Sequence, residues 1–291
     1  MDENDDMIRY AIPLLFFIGT CAKAQGISID IGTYQDHQKA IQLATTHDDC
    51  PSLEQVNLGE NQVLAEYMIF CHALKLSPNT YQISLLSYPN NGRMLNDVED
   101  SRIEGTAIGI WRNEARENIL VISPALLRNN EFEKGLYTTK EVLANTVHRS
   151  QLNTSMTLAN QNWYHDWEIM KCAGMKLLHV SSYEQMFNMI KLGRGKFVPI
   201  TFGPNANLER NQFGVALYPF PDLKLVFADS THFVINGKSE KGKQLLADLA
   251  LGLAQLRVNG DIENVYRRIG IINPRVAQWK PLSCQGASGR H

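Results

Sequence analysis

Two successive runs of alternating strand and helix patterning constrain this chain more than any other feature of its sequence. Ile27–Ile31 reads as a first strand that ends at Gly32. Residues 34–60 are polar and too long for a plain loop, so they are expected to carry local structure. Val63, Leu64, Tyr67, Met68, Cys71 and Leu74 then recur at helical spacing. Tyr81–Leu86 reads as a strand closed by Pro89-Asn90-Asn91-Gly92, and Arg93–Val98 as a short helix. Ala107–Ile110 and Ile119–Ile122 are predicted strands, the second stopped by Ser123-Pro124.

The pattern then restarts. Thr154–Leu158, Lys176–Val180 and Phe197–Ile200 are predicted strands, separated by helices over Trp163–Cys172 and from Ser182 onward. Met186, Phe187 and Met189 lie on the core side of the latter. A short helix is expected over Lys140–Val147, and extended chain over Leu223–Phe227 and Phe233–Ile235. Two helices, Glu240–Val258 and Asp261–Ile269, flank Asn259-Gly260 near the end. Strands alternating with helices argue for mostly parallel sheets, and two runs argue for two lobes. In such sheets ligands sit at the carboxyl ends of strands and at helix N-termini.

A length of 291 residues suits two lobes of ordinary size. With 20% charged and 44% hydrophobic residues the composition is that of a soluble globular protein. A net charge of −2 gives no basic surface for phosphates, so neither nucleic acid nor an anionic membrane is an expected partner. Residues 1–24 read as a cleavable signal peptide. Tyr10–Gly19 is an apolar run too short to span a bilayer, and Ala22-Lys23-Ala24 gives a small-x-small cleavage pattern. Gln25 would be the mature N-terminus and the location periplasmic. Lipidation at Cys21 fits less well because Thr20 precedes it. Export permits disulfides among Cys50, Cys71, Cys172 and Cys284, which allow three complete pairings. Cys71 and Cys172 sit in helical apolar patterns and read as small buried hydrophobes, whereas Cys50 beside Pro51 reads as a bridge member.

No nucleophile elbow, phosphate loop or dinucleotide fingerprint is present. His47-Asp48-Asp49-Cys50 holds metal-capable side chains, but adjacent residues rarely converge on one ion, and the stretch reads as a solvated loop. His165 and Glu168 are spaced i, i+3 and read as a solvated helix face. Neither metal nor cofactor is expected, and binding is favoured over catalysis.

The segment Trp111-Arg112-Asn113-Glu114-Ala115-Arg116, running on to Ser123-Pro124, resembles a signature of the bacterial extracellular solute-binding proteins of family 3. Further stretches are similar in order and spacing. They are Ala173–Leu178, Ser182–Ile190 with Gly193-Arg194, Leu217–Pro221, and Asn259–Tyr266, and the likeness is greatest to a divergent branch. The resemblance implies an α/β, two-lobed periplasmic-binding-protein-like fold, each lobe a mostly parallel sheet flanked by helices. Lobe 1 would span 25–125, lobe 2 126–223, and 224–285 would return to lobe 1, with 286–291 a disordered tail. Hinges are expected near Ala125–Phe132 and Pro221–Lys224. Arg116 falls where the family's ligand-carboxylate arginine falls, and a guanidinium suits that task as a planar, permanent cation. Topology adds Tyr34 and Trp111 at strand ends, Asn160, Asn162 and Trp163 at the start of a second-lobe helix, and Thr201 at another strand end.

The implied partners are a small-molecule ligand and an ABC permease or membrane receptor, with the protein a monomer. Three departures argue against a standard α-amino acid: Lys196 replaces an expected acid, Val198–Thr201 offers no aspartate, and Asn113 stands where amino-acid binders carry Thr. A carboxylate-bearing or polar solute remains compatible. Two alternatives stay open: a dehydratase-like enzyme on the same scaffold, with Glu114, Glu117 and His165 as its nearest acid–base groups, and a ligand-free interaction module.

Overall fold

The computed structural model describes residues 26–46, 50–145 and 151–282. The first run of elements is β1 (Ile27–Tyr34), α1 (Gln35–Ala44), α2 (Gln62–Lys75), β2 (Tyr81–Tyr88), α3 (Asn91–Glu99), β3 (Gly105–Thr106), β4 (Ile110–Trp111) and β5 (Val121–Ile122). The chain then crosses through β6 (Glu133–Thr138) into α4 (Lys140–Asn145), β7 (Met156–Ala159), α5 (Tyr164–Cys172), β8 (Lys176–His179), α6 (Tyr183–Lys191), β9 (Val198–Thr201) and β10 (Arg210–Gln212). It returns along β11 (Val215–Val226) to β12 (Thr231–His232), β13 (Val234–Ile235), α7 (Glu240–Asn259) and α8 (Asp261–Arg268), and ends in β14 (Lys280–Pro281).

The first lobe is a five-stranded sheet in the order β2-β1-β3-β13-β5. β1 is parallel to β2 in unbroken register from Ile27↔Tyr81 to Tyr34↔Tyr88, while β13 runs antiparallel to both neighbours. Helix α2 starts where the Asn61 side chain accepts from the Leu64 amide at 3.1 Å, and it is apolar on nearly every face because it is buried between the sheet and α7. Its closest approach to α7 is at Gly252. A Cβ there would lie 2.0 Å from the Ala73 carbonyl oxygen, so only glycine fits.

In the second lobe β7 is parallel to β8, and a parallel bridge from Thr157 to Phe197 joins them to the head of β9. β9 continues through antiparallel pairs to β6, β11 and β10. Met186 and Phe187 are buried in a second apolar cluster, and Met189 packs against it.

The two crossing segments are one antiparallel pair, β6 against β11. Their register holds over Tyr218↔Thr138 and Pro219↔Tyr137, shifts, and resumes at Lys224↔Gly135. The extra residues of β11 lie at the shift, with Asp222 at φ +57° between Pro221 and Leu223. Gly135 is required there, because a Cβ would fall 2.7 Å from Phe202 and 2.8 Å from Tyr137. Glu-Lys-Gly breaks the apolar pattern of β6, and two prolines break that of β11, so neither reads as a full strand from sequence. The predicted strand Ala107–Ile110 is split: Thr106 and Gly109 turn their polar groups to Ile108 and to Glu66, and only Ile110 continues into β4.

Residues 273–282 run onto the second lobe. Val276 is buried in its core, Trp279 packs edge-on against Phe202 at 5.4 Å, and β14 pairs with β11. Cys50 is bridged to Cys71, tying the loop that precedes α2 to α2 itself. Cys71 is therefore buried but not a free thiol, and Cys172 is disulfide-bonded as well; a small apolar reading of both is corrected by bonding that export permits. The expected signal peptide, the tail 286–291 and His47–Asp49 lie outside the described residues. No helix among the described residues is long and apolar enough to cross a membrane.

Candidate ligand-binding cleft

The first lobe presents the ends of β1 and β4 and the start of α3. Tyr34, the last residue of β1, donates its hydroxyl to Asn91 Oδ1, and Asn91 Nδ2 donates to Glu114 Oε2 at 3.0 Å. Burial, then the charges of Glu66 and Glu114, push the Tyr34 phenol up, so it stays a donor. Glu66, only 2% exposed, lies inside the same lobe. Its Oε1 accepts from Gln62 Nε2 at 2.8 Å and from the Tyr266 hydroxyl at 3.3 Å, and its Oε2 from the Gly109 amide at 2.8 Å. Burial outweighs these bonds and raises the carboxyl to about 7. Glu66 thereby pins the turn that leads into Trp111.

The second lobe presents the start of α5 and the ends of β7 and β9. Asn160, one residue past β7, is buried. It donates to the Ser181 carbonyl at 2.9 Å and accepts from the Asn162 amide at 2.9 Å, while Asn162 itself is exposed. Trp163 stacks on Tyr183 with ring centroids 4.4 Å apart. From the crossing strand, Lys134 reaches both oxygens of Asp166 at 2.9 Å. Its ammonium lies 5.4–5.7 Å from the ring centres of Trp163, Phe132 and Phe227. Burial opposes its charge, but Asp166 and Tyr183 outweigh it and hold Lys134 protonated; burial also pushes the Asp166 carboxyl up, and the two 2.9 Å contacts to the ammonium pull against that shift. Thr201, at the end of β9, accepts from Arg210 Nη2.

Among the described residues, two polar bridges join the lobes. His165 Nε2 lies 3.2 Å from Asn113 Oδ1 and 3.3 Å from Asp229 Oδ2, and its ring packs on Trp111 at 4.4 Å. Trp111 also contacts Phe227 and Phe132, the aromatic pair beside the crossing strands. In the other bridge, Glu60 Oε2, from the loop before α2, lies 2.5 Å from Arg210 Nη1 and accepts from Gln212 Nε2 at 2.6 Å. Arg210 is 4% exposed, and neither its Nε nor its Nη1 makes a hydrogen bond among the described residues, so Nη1 meets Glu60 as an ion pair by proximity alone.

Tyr34 and Trp111 thus end β1 and β4, Trp163 immediately precedes α5, and Thr201 ends β9. Arg116 is placed differently. Its backbone is left-handed at φ +56°, and its guanidinium is held by Asn96 at 2.7 Å and Glu99 at 3.2 Å on α3. His165 is part-buried and turns to Asp229 of the first lobe instead of standing on a solvated face with Glu168, which lies 3.8 Å from Lys171. Glu117 is tied to Arg112 at 2.8 Å, which holds its carboxyl below the usual range. Lys134, Asp166, Arg210 and Glu60 were not signalled by the sequence. Lys134, Arg210 and Glu60 lie in stretches without clear period, and Asp166, although inside the expected helix over Trp163–Cys172, reads as an ordinary polar helix position.

Two other features fall outside the cleft walls. Cys50, Cys71 and His72 place potential ligand atoms within 4.8 Å of one another, but the two sulfurs are joined and offer no thiolate. A 580 Å3 cavity between α1 and the disulfide loop supplies no charged side chain except Glu60.

No family model matches the sequence, and no curated protein does. Solved structures match most of it. The probable amino-acid ABC transporter extracellular-binding protein YtmK from Bacillus subtilis superposes with a TM-score of 0.58 at 11% identity, over 83% of this chain and 97% of that one. The periplasmic VFT2 domain of BvgS from Bordetella pertussis gives 0.51 at 11% identity, over 87% and 93%. At these identities the likeness shows the fold, and the chain has the two-lobed α/β architecture of periplasmic binding proteins.

Proposed function

We propose that this chain is an exported, monomeric solute-binding protein. It closes its lobes on a small polar or carboxylate-bearing molecule and delivers it to an ABC permease or reports it to a membrane receptor. The lobes would be 26–132 with 227–272, and 139–214 with 273–282, swinging on the β6/β11 pair. One observation carries the reading: the facing walls meet through polar side chains, among them a buried guanidinium with an unused donor, Arg210 Nε. Polar groups that converge between lobes suit a ligand that favours the closed form through contacts absent from the open one. The fold's neighbours include a probable amino-acid transporter binding protein and a sensor-protein domain, which supports both modes of use.

The test is native mass spectrometry of the purified mature protein, followed by thermal shifts and small-angle scattering against carboxylates, amino acids, short peptides and sugars. A ligand that raises the melting temperature and contracts the particle supports the reading. A protein that neither retains nor responds to any of them refutes it.

A second reading, catalysis on the same scaffold, is favoured by one contact set. Ser230 Oγ lies 2.8 Å from His232 Nε2, and His232 Nδ1 lies 2.7 Å from the Ser123 carbonyl, so the ring donates to the carbonyl and accepts from the serine. Burial lowers the pKa of His232, which favours the neutral ring. A serine-directed fluorophosphonate that labels the wild type and spares S230A would support it; absence of labelling would leave the network a structural stitch between β12 and Ser123 at the end of β5.

A further inference from the structure

Arg210 differs from every other buried cation of the second lobe. Lys134 has Asp166 on its own lobe. Lys224 has Glu133 beside it on the crossing pair, at 2.7 Å. Among the described residues the one carboxylate paired with Arg210 is that of Glu60, which belongs to the opposite lobe. When the lobes part, Arg210 keeps the Thr201 hydroxyl on its own lobe but loses its counter-ion. A guanidinium so placed, at the carboxyl end of β9 with Nε unused, is a standing site for a small anion.

The occupant it holds in this closed form is a carboxylate on a loop. Glu60 lies just before the Asn61 cap of α2, on a segment stapled by the Cys50–Cys71 bridge ten residues upstream. Gln212 donates to the same Glu60 oxygen, so Arg210 and Gln212 together form a two-pronged carboxylate receptor on β10. Arg116, by contrast, already has Glu99 and Asn96 on its own lobe.

We propose that Arg210, with Gln212, is the anion-recognising element of the cleft, and that Glu60 is a tethered competitor that fills it until a carboxylate ligand displaces it. The inference rests on the solute-binding reading above and adds the ligand class, the residue and a built-in threshold. A ligand must outbid a carboxylate that is always nearby, so the apparent affinity falls by the fraction of molecules in which Glu60 occupies the site. For a site nine-tenths occupied, that is about tenfold.

The experiment is a thermal-shift titration of wild type, E60Q, R210M and R116M with succinate, citrate and L-glutamate, with glucose as an uncharged arm. The expected result is a carboxylate response in the wild type, half-saturation at about tenfold lower concentration in E60Q, and no response in R210M. If R210M does not fold, E60Q alone decides: an unchanged or weakened response overturns the proposal. A response kept in R210M and lost in R116M overturns it while solute binding stands. A response to glucose alone does the same. No carboxylate response in either wild type or E60Q also overturns it, and native mass spectrometry against the wider panel then decides the solute-binding reading separately.

Discussion

Replacing Glu66 by Gln isolates one electrostatic debt inside the first lobe. The carboxyl titrates near 7 in the folded protein against 4.5 when unperturbed. The folded state therefore holds the proton more tightly than the unfolded state. The stability this group contributes is complete below pH 4.5 and is lost as pH rises through about 7. At ~1.4 kcal/mol per pKa unit the full span is about 3 kcal/mol, of which about 2.5 kcal/mol falls between pH 5 and pH 8. Gln has the same shape and no proton to lose. Its carbonyl can accept from the Gly109 amide while its NH2 group turns to a flipped Gln62 or to Tyr266. The assay is urea denaturation of wild type and E66Q at pH 5 and pH 8 with the disulfides intact, comparing midpoints at unchanged slope. E66Q should gain about 2.5 kcal/mol on the wild type between the two pH values. Parallel pH profiles would refute the reasoning and show that Glu66 stays ionised in the fold. E66L serves as the control, because it strands the Gly109 amide and should cost ~1–3 kcal/mol near pH 5, where the native carboxyl is protonated.

Two further outcomes are expected. D166N leaves the Lys134 ammonium buried without its counter-ion and should cost ~3–5 kcal/mol, read as a lower denaturation midpoint; a change under 1 kcal/mol would mean that water reaches Lys134. Replacing both Cys50 and Cys71 by Ala frees the loop that carries Glu60 and should lower stability by ~2–5 kcal/mol. If Glu60 is a tethered competitor, the same variant should shift the carboxylate titration in the direction of E60Q.

What was legible in the sequence was whatever one periodicity could carry. β1, α2, β2, α7 and α8 lie within a few residues of their predicted places because their apolar residues recur at the spacing of the element they form. The crossing strands were legible only in part: Leu223–Phe227 was expected to be extended and covers the return half of β11, but β6 was not expected, since a strand at a hinge is shaped by what it must permit. Gly135 allows Phe202 and Tyr137 to close on the backbone, and Pro219, Pro221 and the left-handed Asp222 take up the register shift. For the candidate cleft, the strand pattern put Tyr34, Trp111 and Thr201 at strand ends, where they lie, because strand positions follow from periodicity. Arg116 was singled out by its place in a resemblant motif, and spacing along the chain carries no information about Glu99 one helix away. Glu60 and Arg210 are 150 positions apart in stretches without period, and only the folded chain brings them together.

The same contacts set how readily the lobes can part. Opening must break the Glu60 bridge, the His165 bridge and the packing of His165 on Trp111. It need not disturb Phe132 on Phe227, which stay with the crossing strands as the pivot. His165 and Asp229 are each 15% exposed, so water reaches that bridge and screens it. Its net worth is then about 1 kcal/mol, and the Glu60 bridge, whose carboxylate side is 27% exposed, is screened likewise and is worth about as much. A closed form held by a few kcal/mol is within reach of a ligand of ordinary affinity, and a ligand shifts the balance only by what it gains in the closed form over the open one. An anion at Arg210 gains there by taking over the carboxylate position of Glu60. Glu60 then turns to water, where a carboxylate is well solvated, so the exchange leaves no buried charge unpaired.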